Sequence, residues 1–66
     1  MQIKLNGKAR EVEEGVSVQR LLDGLGLLAL RVAVQVNEDI IKRDRYPETI
    51  LKADDTVEIL TFMSGG

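Results

Sequence analysis

The residues in this chain best suited to chemistry are its last three, Ser64, Gly65 and Gly66, because the usual catalytic side chains are scarce. Neither histidine nor cysteine occurs, which removes the commonest general base, the commonest metal ligand and the strongest side-chain nucleophile together. A diglycine that ends a polypeptide offers something different. It presents a carboxylate on a backbone without Cβ atoms, able to thread a narrow channel and let other groups approach closely. At roughly 3.3–3.6 Å per residue, the four residues after Phe62 would carry that carboxylate about 13–14 Å from the domain, far enough to enter another enzyme's active site. The same residues could equally be an ordinary frayed end.

Leu60, Phe62 and Met63 lie beside this tail. An aromatic, an aliphatic and a methionine side chain together form a candidate docking patch for a partner, whereas isolated exposed apolar residues need no explanation. The alternative is that they pack beneath residues 38–51. The remaining polar groupings read as structure. Asp54 and Asp55 lack the further oxygen ligands a hard cation needs and suit a turn, so no metal site is expected. Lys42, Arg43 and Arg45 suit a solvated loop, with a basic rim for an acidic partner as the second reading. Gly24-Leu25-Gly26 follows a helical stretch instead of joining a strand to one, unlike a dinucleotide-binding loop.

Sixty-six residues make one domain, and a chain of this size buries only about 60% of its unfolded surface, so a deep enclosed active site is not expected. Without disulfides or thiolate-bound metal, stability must come from aliphatic packing and regular backbone hydrogen bonding. A net charge of −2 gives no positive field for direct nucleic-acid binding. Strand-like residues begin at Gln2, and no apolar run approaches the roughly 20 residues of a membrane span, so a cytosolic protein without membrane contact is expected.

The elements that must position the tail follow from periodicity. Gln2, Ile3, Lys4 and Leu5 alternate up to Asn6-Gly7, a dipeptide suited to a hairpin turn, with a return strand predicted over residues 9–13. Glu14-Gly15 breaks that strand before Ser17, whose side chain can cap a helix. Val18, Leu21, Leu22 and Leu25 recur at the spacing of one buried helical stripe, and Gly26 suits the left-handed position that ends it. Residues 31–37 place Val32, Val34 and Val36 on one strand face and Ala33 and Gln35 on the other. Ile40-Ile41 suggests a brief fourth strand, Tyr46-Pro47 interrupts, and Ile50-Leu51 returns to the core. Residues 56–62 alternate again, with Val57 and Ile59 facing one way and Glu58, Leu60 and Phe62 the other.

One helix covers one face of the sheet. The order predicts an α+β fold of the β-grasp, ubiquitin-like kind: a roll with a mixed sheet of four to five strands and one main helix packed on one face. By analogy, the first and last strands lie side by side in parallel, with Ile3, Leu5, Val57 and Ile59 toward the helix. Residues 1–62 form the expected domain and residues 63–66 a flexible diglycine tail.

From end to end the chain resembles the ThiS family of sulfur carriers, which serve thiazole formation in thiamin biosynthesis. The likeness lies in Met1-Gln2-Ile3 leading to Asn6-Gly7, Ser17-Val18 with Leu21-Leu22, and Val32-Ala33-Val34 running to Asn37. It continues through Ile41, Arg43 and Tyr46, and through Asp55 with Val57-Glu58-Ile59-Leu60 before the diglycine. One departure is Asp54, where such carriers commonly have glycine. The resemblance implies a non-enzymatic carrier. An E1-like (ThiF-type) adenylyltransferase would use ATP and Mg²⁺ to convert the Gly66 carboxylate to an acyl-adenylate, and sulfur would replace AMP. A thiazole synthase (ThiG-type) would consume the resulting thiocarboxylate. The chain itself would bind no cofactor. Gly66 would be the modified residue, Gly65 and Ser64 its thread, and Leu60, Phe62 and Met63 partner contacts. Carriers for molybdopterin synthesis and tRNA thiolation have similar folds and tails, and a protein modifier or a plain interaction module remains open from a different class.

Overall fold

The structure, a computed structural model, describes residues 1–62. Asn6 and Gly7 both take positive φ, 49° and 84°, and fold β1 (Gln2–Leu5) back onto β2 (Lys8–Glu11) as an antiparallel pair. The return strand ends at Glu11, short of the expected Glu13. All four of its residues are exposed, so no buried face extends it once the Val12 N–H has donated to Met1 O at 2.7 Å.

The helix forms as its stripe predicts. In α1 (Val18–Leu25), Val18, Leu21 and Leu22 are buried, and the Ser17 hydroxyl accepts from the Arg20 N–H at 3.0 Å. Gly26, at φ 73°, closes the helix in the left-handed region and donates its N–H to Asp23 O at 3.1 Å. A short 3-10 helix, Ala29–Arg31, leads into β3 (Val32–Val36), whose three valines are buried while Ala33 and Gln35 are half-buried. Asn37 and Glu38, at φ 49° and 75°, turn the chain into β4 (Asp39–Ile41). A second 3-10 helix, Arg43–Arg45, precedes the loop to β5 (Thr56–Thr61).

The five strands lie in the order β2-β1-β5-β3-β4. β1 and β5 are parallel and the other pairs antiparallel, which is the expected mixed β-grasp sheet. Ile3, Val32, Val34, Val57 and Ile59 face α1 in one apolar core; Leu5 is half-buried beside them.

Other features also differ from the pattern reading. Neither 3-10 helix was expected, and Tyr46 is a core residue at 2% exposure. Residues 42–51 are tied to the start of α1, with Gln19 N–H donating to Tyr46 O, Val18 N–H to Thr49 O and Leu51 N–H to Val16 O. This segment therefore closes the helix side of the sheet. Of the Ile50-Leu51 pair only Leu51 enters the core; Ile50 is exposed.

Candidate functional site

β5 is the middle strand of the sheet, so the segment that follows it in sequence departs from the best-supported strand of the domain. Its inward residues, Val57 and Ile59, are buried, and its outward residues are not. Leu60 is 68% exposed and Phe62 58%, which excludes packing beneath residues 38–51: residues 39–41 form the edge strand β4, and residues 42–51 lie on the helix side of the sheet. Phe62 follows the last residue of β5, and its N–H still donates to Arg31 O at 2.8 Å. The strand alternation therefore places its side chain on the Leu60 face.

Register then identifies neighbours that spacing alone could not. Ala33 stands opposite Leu60, and Gln35 stands between Glu58 and Ile40. Ile40 is 79% exposed. The open face of the β5-β3-β4 half thus carries Leu60, Phe62, Ala33 and Ile40, while the β1 residues on that face are Gln2 and Lys4. Leu28 and Leu30, also exposed, flank the turn into β3, and the main-chain contact from Phe62 to Arg31 joins that turn to the end of β5. Met63, Ser64, Gly65 and Gly66 lie outside the described residues.

Polar groupings elsewhere are structural. Asp55 accepts from the Asn37 side-chain amide at 2.9 Å and from the Lys52 N–H at 2.8 Å, so it is committed to holding two turns together. Arg45 pairs with Glu48 at 2.9 Å on the surface, both well exposed, an arrangement worth little in stability. Among the described residues, no group of three or more His, Cys, Asp or Glu could hold a metal ion, and no helix is long and apolar enough to cross a membrane. A surface hollow bounded by residues 13–16 and one side of α1 includes no residue of β5. The arrangement is a firm base ending in a strand with an apolar surface around its exit.

The profile of the ThiS family matches residues 3–66. A thiazole synthase of Magnetococcus marinus is 38% identical over 66 residues, which is all of this chain and 20% of that protein. A thiazole synthase of Paramagnetospirillum magneticum is 32% identical over the same share of each. The chain thus spans about a fifth of the length of these relatives. A sulfur carrier protein ThiS of Thermus thermophilus is 34% identical over 94% of this chain and 95% of its own length. Among solved structures, the crystal structure of a thiamine biosynthesis protein (ThiS) from Geobacter metallireducens superposes with a TM-score of 0.85 at 36% identity, covering all of both chains.

Proposed function

The chain belongs to the ThiS family, and on that premise we propose that it is a sulfur carrier protein for thiazole formation in thiamin biosynthesis, with the Gly66 carboxylate as its reacting group. The observation that carries this reading is that the family match runs through the diglycine to residue 66. That segment follows the central strand of a sheet whose apolar open face could receive a partner.

The chemistry explains why no catalytic side chain is needed in the carrier. A carboxylate is anionic and resonance-stabilised, so sulfur cannot displace its oxygen directly. An E1-like, ThiF-type partner using ATP and Mg²⁺ would first join the Gly66 carboxylate to AMP with release of pyrophosphate. The terminal sulfur of a persulfide would then attack the acyl carbon and expel AMP, and a thiol would cleave the S–S bond of the resulting acyl disulfide, forming a new disulfide and leaving the thiocarboxylate on Gly66. The consumer in this scheme is a ThiG-type thiazole synthase; relatives in which a similar segment forms part of a thiazole synthase support that pairing. Gly65 and Ser64 act as the thread, and Leu60, Phe62 and Met63 as contacts at its root.

Intact-mass measurement tests the reading. Incubation with a ThiF-type enzyme, ATP, Mg²⁺, a persulfide donor and a thiol reductant should raise the mass by about 16 Da, one oxygen exchanged for sulfur. Deleting Gly66, or adding one residue after it, should abolish adenylation while leaving the fold unchanged. Undiminished adenylation of either variant would refute the role given to Gly66.

A further inference from the structure

Strand β5 outruns its neighbour on one flank. β1 pairs with it only from Lys4 opposite Thr56 to Leu5 opposite Val57, after which the Asn6 N–H donates to Val57 O at 2.9 Å. The chain then turns away. The Asn6 carboxamide takes both main-chain groups of Ile59, its Oδ1 accepting from the N–H at 2.7 Å and its Nδ2 donating to the carbonyl at 3.2 Å. A side chain stands where the next strand residue would be, and pairing on this flank stops there.

On the opposite flank pairing continues, with Ala33 opposite Leu60, Val32 opposite Thr61, and the Phe62 N–H on Arg31 O. Main-chain groups along a strand alternate between its two flanks. Leu60 and Phe62 therefore use theirs toward β3, and Thr61 directs its N–H and C=O to the side that β1 has left. No described residue bonds either group, and Thr61 is exposed.

We propose that this flank is a strand-pairing site for the activating partner, in which an extended main-chain segment at the mouth of the partner's channel adds to β5 at Thr61. The proposal rests on the carrier reading, because the threaded tail is what brings a partner to this edge. Four residues after Phe62 extend at most about 14 Å, so a partner holding Gly66 in its active site has its channel mouth within that distance. A channel narrow enough for a diglycine excludes water, and Ser64, Gly65 and Gly66 present mostly backbone. Main-chain groups shielded from water must find partners, and an added strand supplies them while contributing affinity through main-chain bonds. Because Asn6 already occupies Ile59, Thr61 is where pairing can begin.

Thr61→Pro tests this directly. The ring replaces an N–H that the fold does not use, on the flank where proline is tolerated, and Leu60 already has the extended conformation that a following proline requires. The variant is titrated against the ThiF-type enzyme by calorimetry, with its fold checked by circular dichroism. Binding about tenfold weaker than that of the unaltered chain is expected. If Thr61→Pro does not fold, an ester in place of the Leu60–Thr61 amide, made by semisynthesis, removes the N–H alone and should weaken binding likewise. In the unaltered chain, exchange of the Thr61 amide hydrogen should slow at least about tenfold when the enzyme is added. A folded variant that binds as tightly as the unaltered chain, or a Thr61 amide that exchanges no more slowly in the complex, overturns the strand pairing while Gly66-dependent adenylation keeps the carrier reading intact. Absence of that adenylation in the unaltered chain refutes both.

Discussion

Asn6 does two jobs that its position in sequence joins. At φ 49° it takes the left-handed conformation that lets β1 turn directly into β2, and its carboxamide reaches a strand 53 residues later to bond both main-chain groups of Ile59. The first job is readable from the Asn-Gly pair; the second requires β1 and β5 to be neighbours. Asn37 works in the same way at the opposite end of β5. At φ 49°, its Oδ1 accepts from the Thr56 N–H at 2.9 Å while its Nδ2 donates to Asp55. Asp54, at φ 69°, occupies a left-handed position in the turn before β5, which explains why glycine would suit it and why aspartate is accepted. Asn6→Ala leaves two partly buried main-chain groups unpaired, and should cost about 1–3 kcal/mol. For a domain of this size that lowers the melting temperature by roughly 4–8 °C per kcal/mol, measurable by calorimetry. A change of less than about 0.5 kcal/mol would show that water replaces the carboxamide without loss.

Single elements declare themselves when one physical cause dominates them. α1 combines a capping serine, a single apolar stripe and a glycine terminator, and all three act as their chemistry dictates. Ser17→Ala removes the hydroxyl that satisfies the Arg20 N–H and is expected to destabilise the domain by about 1 kcal/mol, read from chemical denaturation. An unchanged midpoint would mean that the contact between Val18 N–H and Thr49 O suffices to start the helix. β3 and β5 are legible because alternate residues meet different surroundings; β2, exposed throughout, has no such contrast, and it ends at Glu11, two residues before the pattern predicts. The two 3-10 helices are shorter than any periodicity can reveal. Tyr46 was obscure because its burial depends on residues 42–51 returning to α1, a long-range arrangement with no local signature. The candidate site divides similarly. Leu60 and Phe62 could be placed on the outer face by alternation, but Ile40 and Ala33 join them only through strand register, and the open flank of Thr61 depends on where β1 stops.

At the scale of the whole molecule, one helix must leave one face of the five-stranded sheet uncovered. The segment that could have covered it, residues 42–51, is instead held against the start of α1. The outer apolar residues therefore contribute little to folding, and what they contribute to association can be separated from stability. Replacing Leu60 and Phe62 together by serine removes exposed apolar surface without opening a cavity, so stability should stay within about 0.5 kcal/mol of the original per site. Under the carrier reading, the same double variant should bind the ThiF-type enzyme at least about tenfold more weakly, because aromatic and aliphatic anchors carry most of the energy of such a contact. Adenylation at saturating enzyme should persist, since the Gly66 carboxylate is unaltered. The pairing of unchanged melting with weakened binding is the diagnostic result. A substantial fall in melting temperature would show that Leu60 and Phe62 support the fold itself, and binding at full strength would remove this face from the docking surface.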